Sequence, residues 1–167
     1  YPQYKSINCL TILDSLGRND FFLSLHAAKE KRAVKVVSIT LAVLFAESTL
    51  PIFERNFPTN NIPSKSIQIA KDFLKGNKKC RDIEKAWVEA AAEGKKISSF
   101  SPGWFAISAI EQAIWVARWN SLKNPIEVAK KVSNMALNSA FKSGERDLEM
   151  QRETQMKIIR STLGRRK

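Results

Sequence analysis

The sequence predicts an all-α fold, a single compact bundle of about six to eight helices that takes in residues 1–167. Three observations predict it. Long alanine-rich runs favour helix over a strand-and-turn fold. Apolar residues recur at i, i+3, i+4 and i+7. The chain holds only 6 Gly and 6 Pro, and most of them fall where one periodic segment gives way to the next. Hydrophobic residues make up 44% of the sequence, enough for a real core and too many for a disordered chain. No linker or low-complexity segment divides it, so one domain is expected.

The elements follow in chain order. Residues 1–18 form an N-terminal segment in which "INCLTILDSL" suits a short helix or a strand equally. Asn19 is an N-cap, and the first helix runs on through "FFLSLHAAKEK". The second spans about Ala33 to Thr49 and is apolar around most of its circumference, so it is expected at the centre. Its longest apolar run, near Val36 to Ala46, is too short to cross a bilayer, and no membrane association is expected. Pro51 then removes a backbone donor and clashes with the preceding turn, so the helix kinks or stops. "IFERNF" adds one more turn, with Ile52, Phe53 and Phe57 tucked under, and Pro58 closes it.

Pro63 suits the first turn of the third helix, about Ser64 to Lys75. Its stripe is Ile67, Ala70 and Leu74, and Gly76 stops it. The fourth, about Arg81 to Glu93, sets Ile83, Ala86, Trp87, Ala90 and Ala91 on one face and ends at Gly94. Ser101-Pro102 caps the fifth, about Pro102 to Asn120. Ala106, Ala109, Ala113 and Ala117 make a small-residue stripe on it, flanked by Ile107, Ile110 and Ile114, that lets another helix approach closely. Asn124-Pro125-Ile126-Glu127 resembles a capping box and starts the sixth, to about Lys142. The seventh runs from near Ser143 to Gly164, with Leu148, Met156, Ile159 and Leu163 as its seam and Glu153–Lys157 as an i,i+4 pair. A basic tail, 165–167, follows.

Charge is the extreme property. There are 28 Lys and Arg against 16 Asp and Glu, a net +12. Residues 1–84 hold 13 bases and 8 acids, residues 85–167 hold 15 and 8, so both halves share the sign. Such a field attracts acidic proteins, nucleic acid or anionic lipid. The bases gather at Lys29/Lys31/Arg32/Lys35, Lys75/Lys78/Lys79/Arg81 and Arg160/Arg165/Arg166/Lys167. Three readings stand for these clusters: solvation or complementing of helix dipoles, partner docking, and nucleic-acid binding.

Little here supports catalysis. The single histidine, His26, has no partner at a useful spacing. No Gly-rich phosphate loop, nucleophile elbow or metal motif occurs. Cys9 and Cys80 stand far apart and fit no metal-ligand spacing; two free thiols suit a cytoplasmic protein. Neither a metal nor a cofactor is expected. Glu47 and Glu54 are the best carboxylate pair. Seven residues apart on an unbroken helix they would share a face, about 10 Å apart, but Pro51 stands between them. A structural contact is the plainer account. The fifth helix carries one uncommon face, where Ser108, Glu111, Gln112, Trp115 and Trp119 lie together beside Arg118. Two tryptophans sharing a stripe with polar groups describe either core or a protein-binding surface.

The stretch "LFAESTLPIFERNFPTNNIPSKSIQIAKDFLKG" resembles a family of all-helical immunity proteins that accompany bacterial polymorphic toxins. Those proteins carry an A-E-x-x-L-P-x-F-E motif, a Pro-rich turn, a P-x-x-x-I helix start and an Ala-rich helical stretch. Ala46, Glu47, Leu50, Pro51, Phe53, Glu54, Pro58, Pro63 and Ile67 supply the matching residues. The Ala-rich segment and the charged last helix look similar too, out to about residue 163. The resemblance implies that the motif is a corner: Pro51 turns the chain, Phe53 and Phe57 fill the angle, and the glutamates tie down neighbouring helices.

It implies a binding activity, occlusion of a cognate toxin, and no reaction. The expectation is therefore a non-enzymatic, cytoplasmic immunity protein. The basic charge calls for an acidic partner surface. The expected contacts are Lys78, Lys79, Arg81, Trp115, Arg118, Trp119, Arg160, Arg165 and Arg166. The alternative is a basic helical nucleic-acid-binding module.

Overall fold

The apolar helix read as central is central. In the computed structural model, which describes residues 31–118 and 125–164, α1 (Lys31–Glu47) packs against α3 (Ile62–Leu74), α5 (Pro102–Arg118), α6 (Pro125–Ser143) and α7 (Glu145–Gly164). Leu41, Ala42, Val43, Phe45 and Ala46 are at most 2% exposed. Two further helices, α2 (Leu50–Asn56) and α4 (Cys80–Gly94), complete an all-α bundle with no strand among the described residues. Residues 1–18, the expected helix from Asn19, His26, Cys9, Trp119, Arg165 and Arg166 lie outside the described residues. Ser38 and Thr40, polar interruptions in α1, return their hydroxyls to the carbonyls of Val34 and Val36, both at 2.8 Å.

The apolar segment is longer than the sequence reading allowed. With α2 following after a two-residue turn, Val34–Asn56 is long and apolar enough to cross a membrane by length and composition, at mean hydropathy 1.9. The bundle buries 61% of its apolar window, so packing inside the protein accounts for that composition.

The corner between α1 and α2 forms as expected, with one correction. Thr49 is buried, its hydroxyl donates to Ala46 O at 2.7 Å, and its carbonyl receives the first amides of α2. Pro51 stands in the first turn of α2, where no donor is missed. Phe53 is fully buried, and its ring lies 4.9 Å from that of Phe57. Glu47 accepts from Lys71 Nζ at 2.7 Å and so ties α1 to α3. Glu54 does no such thing. It is exposed and makes no ion pair among the described residues, because the turn after Pro51 carries it to the outer face of α2.

The exposed Pro58 lies in the turn that follows, and Pro63 is buried in the first turn of α3. Between them Asn60 does two jobs. Its Oδ1 accepts from Ile62 N–H at 3.1 Å, and its Nδ2 donates to Glu93 of α4 at 2.6 Å. Gly76, at φ 81°, ends α3. Asn77 N–H reaches Asp72 O and Gly76 N–H reaches Phe73 O, both at 2.9 Å, the pairing that satisfies a helix's last carbonyls. Gly103 is needed for a different reason. An added Cβ would stand 2.5 Å from Cε2 of Phe57, so the Phe57 ring lies against α5 only because residue 103 has no side chain.

The alanine stripe of α5 is buried throughout: Ala106, Ala109, Ala113 and Ala117 are at most 1% exposed, and so are Ile107, Ile110 and Ile114. Ser101 caps this helix as expected, its Oγ accepting from Trp104 N–H at 3.2 Å. Leu74, expected in the stripe of α3, is 40% exposed at the helix's last residue. The i,i+4 ion pair found among the described residues is Lys85–Glu89, not Glu153–Lys157.

α7 docks differently from the expected leucine seam. Ile159 is fully buried, but Leu148, Met156 and Leu163 are half-buried, and two glutamines do much of the joining. Gln155 is inaccessible. Its Oε1 accepts from Ser133 Oγ at 2.8 Å and its Nε2 donates to Ser133 O at 2.9 Å. One turn earlier, Gln151 Nε2 donates to Ser48 Oγ at 2.6 Å. Outside these, Arg55 of α2 pairs with Asp147 at 2.6 Å. The Arg55 guanidinium, helped by the Ser143 hydroxyl, holds the Asp147 carboxyl below the usual carboxylate range.

Candidate functional site

Two surface features remain once core and helix ties are accounted for. The first is basic. Lys78 and Lys79 precede α4 and Arg81 is its second residue; all are exposed, as is Lys75. None of the four makes an ion pair among the described residues. Dipole complementarity explains only Lys75, at the C-terminus of α3. Lys78, Lys79 and Arg81 stand at the N-terminal, positive end of α4, where cations are disfavoured. One local acid eases this: Asp82 accepts from Lys79 N–H at 3.0 Å. Charges and helix end together create a positive potential suited to an anionic surface.

The second feature is a groove. Helices α5 and α6 lie antiparallel, since Ser139 Oγ donates to Pro102 O at 2.8 Å while Lys131 Nζ donates to Gln112 Oε1 at 3.5 Å. An open groove of about 750 Å³ follows them. Trp104, Phe105, Gln112 and Trp115 line the α5 side; Val128, Lys130, Lys131 and Met135 are among the residues lining the α6 side. From Trp104 to Trp115 it extends about 16 Å at the helical rise.

Phe100 closes one end. It is 67% exposed and holds φ 63°, a left-handed backbone that a side chain other than glycine's rarely adopts. Its ring lies 5.3 Å from Trp104 and 6.3 Å from Phe105, and Trp104 meets Phe105 edge-on at 5.1 Å. The sequence reading missed this cluster. The signal was "FSPGWF", residues 100–105, three aromatics around an N-cap.

The uncommon face of α5 is thus at the surface. Ser108, Glu111, Gln112 and Trp115 are all half-buried, and Trp115 lines the groove rather than the core. Arg118 is engaged elsewhere: its Nε donates to Glu84 of α4 at 2.9 Å. That pair sets the basic segment before α4 at the Trp115 end of α5. Arg160 is exposed on α7. Cys80 is a free, exposed thiol. Among the described residues no cluster of His, Cys, Asp and Glu is placed to hold a metal.

Glu111 carries the electrostatic cost of this face. Burial pushes its carboxyl above the usual range, and Lys95 and Lys131 pull it partly back. An acid whose folded pKa is raised favours the fold below its unfolded pKa and loses that contribution as pH rises through the folded value. Glu111→Gln is therefore expected to stabilise the protein at pH 7, by less than about 1 kcal/mol given its access to water. The gain should vanish near pH 4. Thermal melts of both proteins at the two pH values check it, and a variant less stable at pH 7 would refute it.

A family model described as "Imm-5 like putative immunity protein" matches residues 28–121. The match runs from before α1 through α5 and leaves out α6 and α7, so the likeness read in the last helix is not part of it. No curated protein and no solved structure matches the chain.

Proposed function

The chain belongs to the Imm-5-like family of immunity proteins, and from that premise we propose that it is a non-enzymatic inhibitor that binds and occludes a cognate bacterial toxin in the cytoplasm. The family match carries this reading. The proposed partner surface is acidic, on the strength of the net +12 charge and of Lys78, Lys79 and Arg81, which make no ion pair among the described residues, at the positive end of α4. Opposed potentials speed encounter and reject wrong partners. Trp115 is proposed as an apolar contact beside this patch. Arg160, Arg165, Arg166 and Trp119 stay in the proposal as further contacts. Arg118 enters it with Glu84 already bound to it.

The test is co-expression with the product of the neighbouring gene, which this proposal expects to be toxic. Cells carrying the toxin alone should die, and cells carrying both should grow and yield a co-purifying complex. Reversing Lys78, Lys79 and Arg81 to Glu together should slow association at low salt by at least about tenfold without lowering the melting temperature, since anions suit the N-terminal end of α4. Absence of rescue and of a complex would sink the immunity reading. Unchanged association kinetics would sink the role of that patch.

A further inference from the structure

We infer that the groove between α5 and α6 receives an acidic segment of the partner that carries a large apolar side chain. The inference rests on the immunity reading for the existence of a partner, and on the groove itself for the partner's chemistry.

The apolar half of the argument begins at Phe100. A phenylalanine at φ 63° and 67% exposed holds an unfavourable backbone and an unfavourable solvent contact at once. Glycine or asparagine suits that backbone better. What the phenylalanine supplies is a ring at the mouth of the groove, in contact with Trp104. At the other end stands Trp115, and Met135 adds a pliable apolar surface on the α6 side. Aromatic anchors around a concave surface with a polar border are the composition of an interface centre.

The charged half comes from α6. Lys130 and Lys131 line the groove and make no ion pair among the described residues. Lys131 also faces Glu111, whose carboxyl it and Lys95 pull down against burial. Glu127, the acid of the border, lies in the first turn of α6, where the helix end favours it. Lys130, and Lys131 on giving up its long hydrogen bond to Gln112, are the cations offered to an incoming carboxylate. Single-stranded nucleic acid also seeks lysines and aromatics, but it stacks bases on open ring faces. Here Trp104 and Phe105 are inclined at 78°, and Phe100 and Trp104 at 43°, so the rings offer no row of parallel faces.

Fluorescence anisotropy tests this with three dye-labelled probes on the full chain: poly-glutamate, a random glutamate–tyrosine copolymer, and oligo(dT). The copolymer should bind at least about tenfold more tightly than poly-glutamate, the factor that one good apolar anchor supplies. Phe100→Gly should remove most of that preference without lowering the melting temperature, because glycine fits the left-handed backbone. Lys130→Glu with Lys131→Glu should weaken both acidic polymers together. Equal binding of the two polymers, an unaffected Phe100→Gly variant, or oligo(dT) as the tightest probe would each overturn the inference. The toxin co-expression separates this inference from its premise. If the wild type protects cells and the combined Phe100, Lys130 and Lys131 variant protects equally, the groove is not the docking site and the immunity reading stands. If the wild type captures no toxin but still prefers the copolymer, the premise falls and the groove's chemistry stands.

Discussion

Phe53→Ala is expected to destabilise the protein by roughly 3–5 kcal/mol, the range for emptying a fully buried aromatic site. Phe53 is inaccessible to water, and its ring lies 4.9 Å from that of Phe57. Phe57 in turn lies against the bare Cα of Gly103. The cavity would thus open where α2 packs on α5. Against a total stability of about 5–15 kcal/mol for a domain, such a loss leaves little margin. Urea unfolding of the two proteins measures it. A midpoint shift equivalent to less than about 1 kcal/mol, with the slope unchanged, would show that the corner is not the packing centre described above.

The second large effect is polar. Gln155→Leu keeps the side chain's bulk but removes two hydrogen bonds with Ser133, the one its hydroxyl donates at 2.8 Å and the one its carbonyl accepts at 2.9 Å. Both residues are fully buried, so no water replaces the lost bonds. The cost is expected to be about 1–3 kcal/mol. Removing the hydroxyl as well, in the Ser133→Ala/Gln155→Leu double variant, should cost less than the two single changes added together, because both changes break the same side-chain hydrogen bond. Strict additivity in that cycle would mean that the two side chains do not act as a pair. The site joins α6 to α7 by specific hydrogen bonds that add to the apolar contacts of α7.

The helices were legible because alanine stripes, capping serines and prolines all punctuate locally. The stripe of α5 is buried residue for residue, and the caps at Ser101 and Gly76 sit where the chain says they should. The corner at Pro51 was legible for the same reason: a missing amide acts within one turn. What escaped was decided between helices. Gln151 and Gln155 had no part in the sequence reading, since nothing in α7 alone announces a serine waiting on another element. Glu54 read as a tie, but the turn after Pro51 rotates it outward. Arg118 read as an open anchor, and only the packing of α4 on α5 brings Glu84 beneath it. The aromatic cluster was visible as "FSPGWF" and went unread, because helix-capping logic absorbed Ser101 and Pro102 and left the rings on either side without a role.

The near membrane-length apolar stretch Val34–Asn56 has a consequence for how the chain is made. Its main cover is α5 and α6, and α6 ends at Ser143, 96 residues beyond Glu47 (143 − 47). At about 5–20 residues per second, a ribosome needs roughly 5–20 s to supply that cover. Until then the greasiest part of the polypeptide has only part of its cover, from α3 and then α5, and chaperones that shelter nascent chains are its natural companions until synthesis catches up.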